Sequence, residues 1–118
     1  MVADGNFPTI IDHKPNPENL NANELAIEQL LSTKYDVAFT TDPDADRICA
    51  MSLEKNGEVK SFTGNETAIL VADYILKQKS ERGQLDGRQY VVKTAVTTDA
   101  LNALAQKYQV PIFDNMLV

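Results

Sequence analysis

The chain has 118 residues, 43% of them hydrophobic, and 17 acidic against 11 basic side chains give it a net charge of −6. That length suits one modest domain, and the composition is that of an ordinary globular chain. No apolar run approaches the roughly 18 residues a membrane span needs, and the negative field disfavours nucleic acid or an anionic membrane surface as a partner.

The acidity is uneven: residues 1–60 hold 11 acidic and 5 basic side chains, whereas residues 61–118 hold 6 of each. A phosphorylated ligand would be repelled by the first half unless a metal ion and local cations supplied the attraction. The opening Met1-Val2-Ala3-Asp4-Gly5 lacks the basic region and apolar core of a signal peptide. Cys49 is the single cysteine and has no partner for an internal disulfide, so a cytoplasmic, reducing compartment is expected. It lies in an apolar run and reads as a buried, inert thiol.

Residues 1–19 are rich in Pro, Asn and Asp, and read as loop with a brief strand at Thr9-Ile10-Ile11. Asn19 to Asn23 offer N-cap residues, and Leu25, Ile27, Leu30 and Leu31 follow at helical spacing, predicting a helix over about 21–33. Tyr35 to Thr41 predicts a mostly apolar strand, of the kind covered on both faces. Arg47 to Leu53 predicts another, and Lys55-Asn56-Gly57-Glu58 signals a hairpin returning through Val59–Phe62. A second helix is expected over 65–79, helping to cover this sheet. Ser80 to Gln89 has no apolar period and reads as a linker. A strand at 90–96, a helix at about 98–108 capped by Asp99 or a paired threonine, and a strand at 110–115 complete one parallel β-α-β unit. The fold class is therefore α/β: a mixed sheet with flanking helices in 1–82, then the first β-α-β unit of a second, incomplete α/β domain in 83–118. Val118 follows directly on a strand, so the chain is expected to be a fragment.

The run Thr40-Thr41-Asp42-Pro43-Asp44-Ala45-Asp46-Arg47 carries the chemistry. Three carboxylates at i, i+2 and i+4 repel one another unless a cation sits among them. Hard oxygen ligands on a tight loop suit Mg²⁺, which also retains water or phosphate oxygens. Asp and Pro equally favour a plain solvated turn. A calcium EF-hand loop needs Gly at its sixth and Glu at its twelfth position, and counting from Asp42 these are Arg47 and Leu53. A Mg-dependent phosphatase with Asp42 as nucleophile and Asp44 as acid is a further reading, for which Asp46 is a poor third residue. So is a non-catalytic module that holds a divalent cation.

Asp42-Pro43-Asp44-Ala45-Asp46-Arg47 resembles the metal loop of the α-D-phosphohexomutases, the phosphoglucomutase and phosphomannomutase family. Gly5-Asn6-Phe7-Pro8-Thr9 with Pro15-Asn16-Pro17-Glu18-Asn19 is similar to the segment preceding that loop, and Phe62-Thr63-Gly64-Asn65-Glu66 to the turn following it. Val91-Val92-Lys93-Thr94 through Thr97-Thr98-Asp99 is similar to the start of the family's third domain. The four stretches stand in the family's order and span nearly the whole chain.

The resemblance implies a phosphohexomutase that interconverts hexose 1- and 6-phosphates. A phosphoserine would donate its phosphoryl group to a hexose phosphate, pass through a hexose bisphosphate and recover a phosphoryl group. It implies Asp42, Asp44 and Asp46 as Mg²⁺ ligands, Arg47 beside the transferring phosphate, and Lys93 as a proton-transfer or phosphate-holding group in the cleft. No cofactor other than Mg²⁺ is implied. Without the resemblance, Arg47 reads as a salt-bridge partner of its neighbours, and Lys93 as a lysine guarding a sheet edge. Gly64-Asn65-Glu66 reads as turn and helix cap, and His13, in a polar loop, as solvated or structurally hydrogen-bonded. The family's phosphoserine, sugar-recognition and C-terminal phosphate-binding segments have no counterpart here, so this chain alone is expected to be inactive.

Overall fold

A computed structural model describes residues 4–116. They form a 3-10 turn at Leu20–Asn23, then α1 (Glu24–Thr33), β1 (Val37–Thr41), β2 (Ile48–Leu53), β3 (Val59–Phe62), α2 (Gly64–Glu81), β4 (Val91–Thr94), α3 (Ala100–Lys107) and β5 (Ile112–Met116). The α/β class holds. Antiparallel and parallel pairing fall in separate sheets, and the chain forms two compact units, one up to Gly64 and one from Asn65.

In the first unit β2 is the central strand of an antiparallel β1-β2-β3 sheet. Thr41 faces Ile48 and Leu53 faces Val59, so residues 42–47 are a hairpin loop and 54–58 the return turn. Gly57 closes that turn at φ +86, which favours glycine, and the amide of Glu54 donates to the carbonyl of Glu58 at 2.8 Å. Leu30, Cys49 and Met51 are the buried centre of the core, flanked by Ala26, Ile27, Ala38, Leu53 and Val59. Two-residue alternation sends Cys49, Met51 and Leu53 to the α1 side.

The expected two-sided cover of β1 is corrected. Its exposure alternates along the strand, with Val37 54% and Phe39 64% exposed on the face away from the core. An antiparallel sheet needs only one covered face. The brief strand at residues 9–11 is also absent. Those residues form turns in which the amide of Ile10 donates to Phe7 and that of His13 to Ile10, each at 3.0 Å.

The second unit has the expected strand–helix–strand order, and β4 and β5 pair in parallel from Val91 opposite Ile112. Leu76, Leu101, Ala105 and Val110 are buried here. The second helix, expected to help cover the first sheet, makes side-chain bonds within this unit. Asp73 accepts from the Lys107 ammonium at 3.0 Å and the Tyr108 hydroxyl at 2.9 Å, and the Asn65 side chain accepts from the Thr98 amide at 3.0 Å. The helix also runs into the expected linker. It stops where Gly83 takes φ +65 and the amide of Gln84 reaches back to Lys79 at 2.8 Å. Among the described residues no helix is long and apolar enough to cross a membrane.

Candidate metal centre

β1 delivers Thr41 to the hairpin and β2 resumes at Ile48, so the six residues between must reverse the chain within one loop. Ala45 makes the reversal. Its amide donates to the carbonyl of Asp42 at 3.1 Å, and its φ of 59 lies in the left-handed region. That curvature, and not an extended backbone, brings the alternate carboxylates together. One oxygen from each of Asp42, Asp44 and Asp46 lies within 4.8 Å of the other two. A left-handed alanine carries about 1–2 kcal/mol of strain that glycine escapes, partly offset by the greater freedom of glycine in the unfolded chain. Ala45→Gly is therefore expected to stabilise the first unit by up to about 1 kcal/mol, read as a higher urea midpoint.

The three carboxylates are not equivalent. Asp42 is buried, while Asp44 and Asp46 are exposed. The Asp42 Oδ1 accepts from the Arg47 amide at 3.1 Å, and its Oδ2 from the Arg47 Nε at 2.7 Å. Burial pushes the Asp42 carboxyl up, but these bonds, the hydrogen bond with Asp46 and the guanidinium charge outweigh it and hold it at about 2. Asp46 is pushed up, first by its hydrogen bond with Asp42, then by the charges of Asp44 and Asp42. Arg47 Nε also lies 3.7 Å from Asp46 Oδ1. The hydrogen bond to Asp42 holds the guanidinium above its ordinary value. Arg47 is thus both the salt-bridge partner expected of a plain acidic turn and a half-exposed cation at the loop.

The donor set fits a hard divalent cation. Two oxygens on opposite sides of one Mg²⁺ lie at most about 4.2 Å apart, so the exposed Asp44 and Asp46 would draw in slightly to share it. Each Asp42 oxygen keeps a lone pair beyond its bond to Arg47. The crowding that raises Asp46 is the repulsion a cation would relieve.

Asn23 buttresses this loop, and its role was not foreseen in the sequence. Its side chain caps no helix. It is 1% exposed, donates from Nδ2 to the carbonyl of Pro17 at 2.7 Å, and accepts at Oδ1 from the Thr40 hydroxyl at 2.6 Å. One amide thus ties the Pro15-Asn16-Pro17 segment to the end of β1, two residues before Asp42. An asparagine at a helix start reads as a cap, which hides a cross-chain brace. His13 has the structural role expected, its Nδ1 donating to the carbonyls of Asn6 at 2.9 Å and Phe7 at 3.2 Å.

Lys93 lies in the second unit. Its side chain is 3% exposed, and Nζ donates to the Thr97 carbonyl at 3.0 Å and to Asp99 at 2.7 Å. It therefore braces the β4–α3 turn and is no edge-guarding lysine. Asp99 precedes α3 but makes no side-chain cap bond; the Thr98 hydroxyl accepts from the Ala100 amide at 3.2 Å instead. Cys49 is buried, and burial pushes its thiol up, as expected of an inert cysteine.

Residues 1–55 match the family model described as phosphoglucomutase/phosphomannomutase, α/β/α domain II. The chain is 38% identical over 110 residues to a phosphomannomutase of Mycoplasma pneumoniae, covering 91% of this chain and 18% of that protein. It is 34% identical over 100 residues to a probable phosphoribomutase of Schizosaccharomyces pombe, covering 85% and 16%. A glucose 1,6-bisphosphate synthase of Homo sapiens is 37% identical over 98 residues, covering 79% and 16%. The chain thus spans under a fifth of the length of these curated relatives. No solved structure matches it significantly. With the acidic hairpin loop inside the matched residues, and with relatives aligned across most of its length, this chain belongs to the phosphoglucomutase/phosphomannomutase family.

Proposed function

We propose that this chain supplies the metal loop of a phosphohexomutase, an intramolecular phosphotransferase that interconverts hexose 1- and 6-phosphates. The observation that carries this reading is the convergence of Asp42, Asp44 and Asp46 within one hairpin loop that also holds Arg47. Asp42, Asp44 and Asp46 would hold Mg²⁺. Bound there, Mg²⁺ supplies positive charge that offsets the charge on a transferring phosphoryl group. Arg47 anchors Asp42 through Nε, and its terminal nitrogens are the planar donors that suit phosphate oxygens. The phosphoserine donor and the sugar-binding groups belong to segments this chain does not contain, and the reaction passes through a hexose bisphosphate. Lys93 holds the turn before α3 and would set the position of that segment in the longer protein.

The phosphatase reading, with Asp42 as nucleophile, is the weaker one. A nucleophilic carboxylate must reach the phosphorus of a substrate far bulkier than a bare cation, whereas the Asp42 side chain is 1% exposed and held in place by Arg47 through both oxygens. Two assays on the purified chain with Mg²⁺ separate the readings. No conversion of glucose 1-phosphate is expected, even with a hexose 1,6-bisphosphate present, because the serine donor is missing. No hydrolysis of p-nitrophenyl phosphate is expected either. Mutase turnover would contradict the assignment of the donor to another segment, and aryl phosphate hydrolysis would favour the phosphatase.

A further inference from the structure

The return turn between β2 and β3 carries Asn56 at its tip, exposed and followed by Gly57. No other asparagine of the chain precedes a glycine. The pairing matters because an asparagine side-chain carbonyl can close a strain-free ring with the backbone nitrogen of the next residue. Glycine, with no Cβ, leaves that nitrogen open to approach. At Gly57 the space is open as well, since no atom lies within 4 Å of where a Cβ would stand.

The turn also prepares the Asn56 carbonyl. Its Oδ1 accepts from the Glu58 amide at 3.0 Å, and its Nδ2 donates to Glu58 Oε2 at 2.7 Å. The Glu58 N–H therefore lies on the oxygen that becomes negative when the carbonyl carbon is attacked, as an oxyanion donor does. The Gly57 amide donates to the Glu54 carbonyl at 2.9 Å, a bond on an exposed turn that must open first. Asp86-Gly87 has the same spacing but a different environment. The Asp86 carboxylate accepts from Arg88 Nε and Gln89 Nε2, each at 2.9 Å, and these bonds hold it ionised, at about 2. An ionised carboxylate is a poor electrophile, so Asp86 is protected where Asn56 is not.

We propose that Asn56 is a site of spontaneous covalent modification, converted through a cyclic imide with Gly57 into aspartate or isoaspartate. The Gly57 nitrogen gives its proton to a solvent base and attacks the Asn56 side-chain carbonyl carbon. That C–N bond forms, the bond from the carbon to Nδ2 breaks, and Nδ2 takes up a proton and leaves as ammonia. Water then opens the imide at either carbonyl. One opening gives aspartate; the other gives isoaspartate, in which the main chain runs through the side-chain carbon. The balance is one water consumed and one ammonia released, with no change of oxidation state. Isoaspartate lengthens the turn by one backbone carbon. This turn sets Leu53 opposite Val59, both of which flank the core, so the product should loosen the β2–β3 pairing.

The test holds the whole chain in mildly alkaline buffer over days and maps its peptides by mass. NH should be replaced by O at Asn56 at least about tenfold faster than at any other asparagine, a barrier lower by about 1.4 kcal/mol. Isoaspartate should be the larger product, and Asp86 should stay unchanged. The new acidic species on ion exchange should be missing in Asn56→Gln, whose longer side chain cannot close the same ring. Aged protein should unfold at a lower urea midpoint than Asn56→Asp, which carries the added charge without the added backbone carbon. Asn56 reacting no faster than the other asparagines, or the acidic species forming at the wild-type rate in Asn56→Gln, would overturn the proposal. Aged protein as stable as Asn56→Asp would overturn its link to the strand pairing.

Discussion

Asn23→Ala is expected to destabilise the first unit by about 3 kcal/mol and to weaken divalent-cation binding with it. The side chain is 1% exposed and holds both Pro17 and Thr40. Alanine would leave a buried carbonyl and a half-buried hydroxyl unpaired, at about 1–3 kcal/mol each. It would also release the Pro15-Asn16-Pro17 segment from the end of β1, removing the brace behind the loop. Urea unfolding should show a lower midpoint at similar slope, and the remaining folded protein should bind Mg²⁺ more weakly. Asn21→Ala, at an exposed position of the same 3-10 turn, is the control and should change little. A shift under about 0.5 kcal/mol in Asn23→Ala would place it among ordinary surface substitutions and refute the bracing role.

The second large effect is expected at Lys93. Its ammonium is buried in β4 and bonded to Thr97 and Asp99. Lys93→Ala removes a buried aliphatic stem and strands the Thr97 carbonyl, which together should cost the second unit about 2–3 kcal/mol. Lys93→Met keeps the stem and should lose about half as much, because replacing a buried charge by an apolar group of similar length offsets much of the loss. Thermal unfolding of the two variants reads the difference directly. Equal losses would mean that the charge, and not the packing, carries the stabilisation.

The elements that were legible in the sequence are those whose cause is local. Asn56-Gly57 forces the return turn, and the spacing of Leu25, Ile27, Leu30 and Leu31 gave α1, although of these only Ile27 and Leu30 belong to the core while Leu25 and Leu31 are exposed. The acidic loop was legible because three carboxylates within five residues demand a physical explanation wherever they fold. What could not be read depends on partners distant in sequence. Nothing local says that Val37 and Phe39 lie on an uncovered sheet face, since both suit a buried strand equally well. Lys107, Tyr108 and Thr98, which bond α2 side chains within the second unit, stand 33 to 35 residues from the residues they meet. Asn23 bonds Thr40 across 17 residues. Lys93 was out of pattern in an apolar strand, and that signal was sound. Its partners, four and six residues downstream, were the part that needed coordinates.

Asp42, Asp44 and Asp46 are proposed to act together on one divalent cation. Asp44 tests it most cleanly, because it is exposed and no ion pair of the described residues depends on it. Removing one of three crowded like charges also relieves repulsion in the metal-free loop, so the fold should be intact. Calorimetric titration with Mg²⁺ should show a single weak site in the wild type. Asp44→Asn should weaken that site about tenfold, consistent with losing a charged ligand interaction of about 1.4 kcal/mol or more, with no loss of thermal stability. Mg²⁺ binding of the same strength in Asp44→Asn and the wild type would contradict the account.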